Sequence, residues 1–308
     1  MLQKLRNSAN IAMYTRYVHS LEAISRKITE NLYKHLHNFK GTLMLAYHRQ
    51  GYLPASVAYW FILTMNPEQR VVIHESNTIA YYMLPYHESG LVILYSTNPY
   101  AASTYNLLQT ARLTGYEVLL VTLTPRDERI NTLYSRYSKI YINTRDELEA
   151  ALIMAISTYY VLGELYKNKL GSRGKRIYEH IEEGLSPIVE ELVNRYTEQL
   201  ERIVKFKEVV ITSSRLLEPI ALYFAEALRR LGINAYYQFF EHIDSANNIL
   251  LLSTSAEEHF TRELRFKYNI MDTTLENMVL NTDPLEAQIY LALLAYYLVY
   301  SYNRAIKT

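Results

Sequence analysis

The stretch from Ile93 to Leu123, ILYSTNPYAASTYNLLQTARLTGYEVLLVTL, reads as a strand, a tight loop, a helix and a second strand. Leu91 to Tyr95 is a short apolar run, the texture of a strand covered on both faces of a parallel sheet. Ser96, Thr97 and Asn98 then bring small hydrogen-bonding side chains, and Asn98-Pro99 has the chemistry of an N-cap followed by a first helical residue. A helix opening there presents unpaired amides and the positive end of its dipole at the carboxyl edge of the sheet, a setting that attracts anions. Phosphate is the obvious candidate. Leu107, Leu108 and Ala111 share one helical face, Gly115 stands at the C-cap, and Glu117 to Leu123 is the next strand. The whole is one right-handed crossover with an anion-sized pocket at its turn.

The same layout recurs on both sides. Residues 1–38 place Ile11, Tyr14, Leu21, Ile24, Ile28 and Leu32 at helical spacing. Thr42 to Tyr47 is a strand, followed by the turn His48-Arg49-Gln50-Gly51-Tyr52 and a helix after Pro54. Val71 to His74 is a short strand, Thr78 to Leu84 a weak helix, and Lys139 to Ile142 closes the first sheet. Thr144-Arg145-Asp146-Glu147 reads as a capping box opening a long helix that reaches about Lys167. The polar, glycine-containing KNKLGSRGKR is the linker candidate. Beyond it a helix from about Tyr178 to Phe206, interrupted near Gly184 and Pro187, precedes a second alternation. Val209 to Thr212, Ala235 to Phe239 and Ile249 to Ser253 are strands, Ser213-Ser214-Arg215 is a turn, and helices run from Pro219 towards Gly232 and from Glu257 to Lys267. The expected fold class is therefore α/β: two three-layer αβα domains with parallel sheets of flavodoxin-like or Rossmann-like kind, residues 1–168 and 169–308, with N- and C-terminal helices, related by a weak internal duplication. Ligands of such sheets sit at the carboxyl ends of the strands.

Composition narrows the function. A chain of 308 residues with a net charge of +1 lacks the basic surface of a nucleic-acid binder, and the local run Lys167, Lys169, Arg173, Lys175 and Arg176 reads as a solvated linker. With no cysteine, thiolate chemistry and disulfides are out of reach. Thirty tyrosines and nine glycines point to a rigid, aromatic interior. No continuous apolar core marks the N-terminus as a signal peptide, and the apolar run Ile289 to Tyr300 is too short to span a bilayer. The histidines show no HExxH spacing, and GxGxxG and Walker loops are missing. The expectation is a cytoplasmic protein without metal or cofactor, engaging neither nucleic acid nor membrane.

The two halves, the polar turn after the third strand, and the segments AYHRQGYLPASVAYW and HESNTIAYY resemble the sugar isomerase (SIS) domain family over nearly the whole chain. In that family the loop usually reads S-x-S-G-x-T and cradles a sugar phosphate; here it reads STNPYA, keeping Ser96 and placing Asn98, Pro99 and Ala101 at the other three positions. Arg49 and Gln50 stand near the family's Gly-Gly-Ser turn. The resemblance thus implies phosphate binding by Ser96, Thr97, Asn98, Arg49 and Gln50. The pattern is most similar to bacterial and archaeal phosphoglucose/phosphomannose isomerases. Arg145, Glu226 and His242 fall in settings that match that group's arginine, glutamate and histidine. IYLALLAYYLVYSYNRAIKT resembles the helix before its C-terminal lysine, for which Lys307 is not an obvious match.

The implied reaction interconverts an aldose phosphate and a ketose phosphate, so a carboxylate must move a proton between adjacent carbons, and Glu226 takes that role. Arg145 would stabilise the enediolate. His242 would help open the sugar ring, and the resemblance supplies it from a partner subunit, implying a homodimer with a shared site. Each residue also has a plainer reading: Glu226 lies off the apolar stripe of its helix, His242 fits a cap before Asp244 and Ser245, Arg145 fits a helix start, and Ser96-Thr97-Asn98 fits a helix cap. Two alternatives stand beside the isomerase. One is a non-catalytic SIS protein that binds a sugar phosphate or carbohydrate derivative. The other is a glucosamine-phosphate deaminase or isomerase, faintly resembled by SRLLEPIAL, in which Arg230 would occupy the catalytic glutamate's position.

Overall fold

The structure, a computed structural model, describes residues 5–37, 39–87, 89–169, 171–270 and 273–306. Its elements are, in chain order, α1 (Ser8–Leu36), β1 (Leu43–His48), α2 (Tyr52–Met65), β2 (Val71–Glu75), α3 (Ser76–Tyr82), β3 (Leu91–Ser96), α4 (Ala102–Thr114), β4 (Glu117–Leu123), α5 (Glu128–Tyr134), β5 (Ser138–Ile142), α6 (Glu147–Tyr166), α7 (Ser172–Glu183), α8 (Ser186–Ile203), β6 (Glu208–Ser213), α9 (Glu218–Arg230), β7 (Asn234–Tyr237), β8 (Asn248–Thr254), α10 (Glu258–Ile270), β9 (Thr274–Leu280) and α11 (Pro284–Ile306). They form two units, one of Leu21–Glu182 and one of Met1–Ser20 with Glu183–Thr308.

In the first unit five parallel strands lie in the order β2-β1-β3-β4-β5. Strand alternation sends Met44, Ala46, Val92, Leu94, Val118 and Leu120 to one face, where Ile79 and Ala80 of α3, Leu107, Leu108 and Ala111 of α4 and Tyr134 of α5 cover them. Tyr95 points to the other layer, sharing a hydrogen bond with Thr158 of α6 at 2.9 Å. By length and composition α6 is apolar enough to cross a membrane, but 83% of that stretch is buried, as befits the unit's core helix. Gly115 closes α4 in the left-handed conformation at φ 79°.

The polar linker candidate behaves differently from its reading. Its second half is the start of α7, whose apolar face packs on α6: a Cβ on Gly163 would lie 2.3 Å from Ile181 Cδ1. Arg26 adds a hydrogen bond to the Ile181 carbonyl at 3.1 Å. The compact units divide at 20/21 and at 182/183.

The second unit repeats the order with one strand fewer, β7-β6-β8-β9, all parallel. Val210, Ile249 and Leu251 pack beneath Leu264 and Tyr268 of α10. The apolar tail run forms the buried middle of α11. It holds residues 5–20 through polar groups: Tyr14 donates to the Leu293 carbonyl at 2.6 Å, Asn10 to Ser301 Oγ at 2.9 Å, and Tyr297 to the Leu5 carbonyl at 2.9 Å. Strand β9 escapes sequence reading because Thr274–Leu280 carries Glu276 and Asn277 among its apolar residues.

Candidate functional site

In the order 2-1-3-4-5 the chain reverses direction between β1 and β3, the place where open parallel sheets bind ligands. The turn after β1 is shaped by Gly51, where a Cβ would stand 2.1 Å from the Tyr95 carbonyl oxygen, so only glycine lets this loop lie against β3. Two residues earlier Arg49 adopts φ 51°, left-handed for a residue with a side chain, at a cost of order 1–3 kcal/mol. This turn aims Arg49 at Glu147, with Nη1 to Oε1 at 3.0 Å.

The loop after β3 departs from expectation. Asn98-Pro99 do not open α4, which starts at Ala102 with Ala101 in the N-cap position. Asn98 Oδ1 instead accepts from the Tyr100 amide at 2.9 Å, and the Ser96 hydroxyl donates to the Asn98 carbonyl at 2.9 Å while contacting Thr104 Oγ1 at 2.9 Å. These bonds make the loop a turn of its own, and Tyr134 clamps it by donating to the Pro99 carbonyl at 2.5 Å. The expected capping box at Thr144 moves as well. Asp146 is the N-cap, accepting from the Leu148 and Glu149 amides at 2.8 and 3.3 Å, while Thr144 Oγ1 accepts from the Asp146 amide at 3.2 Å. Glu147 is thereby released from local capping and bridges loops, accepting from Arg49 and, at 3.4 Å, from the buried Thr97 hydroxyl.

The loops after β3, β4 and β5 enclose a cleft of about 320 Å³, at the lower end of the size range of ligand pockets. Thr97, Asn98, Thr124 and Thr144 line it with polar groups, and Arg126, Arg145 and Glu147 with charge. Neither Arg126 nor Arg145 has an ion-pair partner among the described residues. Of the sequence-derived phosphate residues, Thr97 and Asn98 line this cleft and Arg49 reaches it through Glu147; Ser96 is buried with its hydroxyl used inside the loop, and Gln50 is not part of the lining. Arg126 and Glu147 were not foreseen. Arg126 is legible as the third residue after strand Glu117 to Leu123, on the same carboxyl edge.

His48, the last residue of β1, is outside the lining; it pairs in register with Ser96, the residue before Thr97 in the cleft wall. Its Nδ1 lies 3.0 Å from Ser103 Oγ in the first turn of α4. Burial lowers its pKa from 6.5, Arg49 adding to that effect and Glu75 and Glu147 opposing it, so the imidazole is neutral at neutral pH.

In the second unit Glu226 sits on α9 with its carboxylate held by its own helix, Arg229 at 2.8 Å and Arg230 at 3.7 Å. His242 ends a 3-10 turn, exposed, its amide donating to the Phe239 carbonyl at 2.9 Å and its ring 6.1 Å from that of Phe239. Arg215 of the β6 turn pairs with Glu218 at 2.9 Å and lies 4.2 Å from the Phe239 ring. Arg145 belongs to the first unit, Glu226 and His242 to the second. Lys307 lies outside the described residues. Among the described residues no cluster of His, Asp and Glu suits a metal ion.

The sequence matches no family model and no curated protein. Solved structures, however, share the fold over almost the full length. A Bacillus subtilis structure named as a candidate phosphosugar isomerase superposes with a TM-score of 0.67 at 13% identity, covering 94% of this chain and 95% of its own. The C-terminal domain of glucosamine-fructose-6-phosphate aminotransferase from Francisella tularensis gives 0.61 at 14% identity, covering 95% of each chain. Tagatose-6-phosphate ketose/aldose isomerase from Escherichia coli gives 0.59 at 11% identity, covering 98% and 93%. The chain thus has the two-unit parallel α/β fold on which these phosphosugar proteins are built.

Proposed function

We propose that this chain binds a phosphosugar in the cleft of its first unit and interconverts aldose and ketose forms, of the glucose or mannose 6-phosphate to fructose 6-phosphate type. The observation that carries the reading is the pair Arg126 and Arg145, two guanidinium groups without a carboxylate partner among the described residues, set over hydroxyl and amide side chains at a carboxyl sheet edge. A guanidinium fork matches a phosphate, and Thr97, Thr124, Thr144 and Asn98 match sugar hydroxyls. A second anion, the enediolate, develops during isomerisation, so one arginine holds the phosphate and the other, Arg145 in this proposal, the enediolate. The roles that the resemblance implies for Glu226, proton transfer, and for His242, ring opening, fall on residues of the second unit; the working protein is in this proposal a cytoplasmic, cofactor-free homodimer. The structural likeness to phosphosugar proteins supports this class of ligand at the level of fold.

A second reading, binding without turnover, is favoured by one observation: both oxygens of Glu226 are engaged by Arg229 and Arg230. Incubation with glucose, mannose, fructose and glucosamine 6-phosphates separates the two. Interconversion that falls about 100-fold or more in Arg145→Ala supports the isomerase. A thermal shift with these phosphates but not with the parent sugars, and no interconversion, supports the binder. No shift with any of them removes both.

A further inference from the structure

Among the cavities, charged clusters and unpaired groups of the molecule, one imidazole has a setting that the sequence reading did not use. His48 ends β1 at the point where the sheet reverses direction, and the next residue, Arg49, reaches Glu147 in the wall of the cleft. One ring nitrogen is anchored to Ser103 Oγ at 3.0 Å; the other has no hydrogen-bond partner among the described residues. Resting on the phosphosugar reading of the cleft, we propose that His48, positioned by Ser103, is the residue that opens the sugar ring of a ligand bound in the first unit, in place of His242.

The choice of partner supports this role. With the proton on Nδ1, the Ser103 oxygen accepts it and Nε2 is left as the base; Nδ1 keeps that proton when Nε2 is protonated, so the anchor holds through the step. Nε2 takes the proton of the anomeric hydroxyl, that oxygen forms the carbonyl as the bond from the anomeric carbon to the ring oxygen breaks, and the same nitrogen returns the proton to the ring oxygen. No proton or electron is left over. The groups around the imidazole, Arg49 on its own loop, Glu75 at the end of β2 and Glu147 at the start of α6, partly offset one another, and burial keeps the resting ring neutral. His242 is in a different situation: it is exposed, and its ring contact is with Phe239.

The test uses the full chain carrying isotope-labelled histidine. Fructose 6-phosphate is added, the imidazole signals are followed by NMR, and His48→Gln identifies the His48 signal. The proposal expects that signal to move on binding, and kcat to fall at least about 100-fold in His48→Gln with the ligand-induced thermal shift retained. Ser103→Ala should displace the acid limb of the kcat profile while leaving KM within about twofold, which a merely structural role would not do. An unmoved His48 signal with Arg145-dependent binding overturns the proposal, as does binding without turnover in the wild-type chain. Absence of any binding is a separate result: it removes the phosphosugar reading of the cleft, and this proposal with it.

Discussion

The two sheets follow one plan, 2-1-3-4-5 in the first unit and 2-1-3-4 in the second, yet their carboxyl edges are used in opposite ways. In the first, the arginines of the β4 and β5 loops lack ion-pair partners among the described residues and face a cleft. In the second, the arginine of the β6 turn is committed to Glu218 and to the face of Phe239. A repeated strand-turn-helix layout therefore supplies two candidate sites, and the side chains decide which edge has donors left for a ligand. The first unit also carries the marks of a constrained loop, a left-handed Arg49 and a glycine pressed on a carbonyl, on the same edge as the cleft.

The contrast is broken most severely at Gly51. Gly51→Ala drives a Cβ into the Tyr95 carbonyl, and the expected loss is about 3 kcal/mol or more, read as a drop in urea midpoint. Removing a cleft arginine comes next. Arg126→Ala and Arg145→Ala should each weaken binding of fructose 6-phosphate about 10–100-fold in titration calorimetry, the value of a charge-assisted hydrogen bond. Arg215→Ala in the second unit sharpens the comparison: its exposed ion pair and ring contact are worth about 0.5–1 kcal/mol of stability, and phosphosugar affinity should not change. The smallest effect is on pH. His48 has a folded pKa below its unfolded value, so the unfolded chain binds more protons there and stability drops as pH falls through 6.5. Denaturation midpoints at pH 7.5 and pH 5 should show this loss in the wild type and a smaller one in His48→Gln.

Much of the fold was legible from local pattern. The apolar run Leu91 to Tyr95, the face made by Leu107, Leu108 and Ala111, and Gly115 as a C-cap each appear in place, because strand and helix periodicity record which faces are buried. What was missed depended on long-range partners. Thr274–Leu280 is a strand because β8 offers it a ladder from Asn248 to Thr254, which its mixed composition does not announce. Ser172–Glu183 is a packed helix and not a linker, because Gly163 leaves room for Ile181.

Local chemistry also misplaced two helix starts. Asn98 and Thr144 have capping side chains, but Asn98 served the Tyr100 amide and Asp146 capped α6 instead. The sequence by itself determined the alternation of strands and helices, the duplicated layout, and that polar turns with arginines lie at carboxyl strand ends, since these follow from residue spacing. Only the tertiary structure decided which of those side chains are spent on one another. Arg49 with Glu147, Thr97 with Glu147, and His48 with Ser103 are pairings fixed by how segments distant in sequence meet in space. Hydrogen-bond and ionic energies depend on separations of a few tenths of an ångström, which no residue spacing encodes.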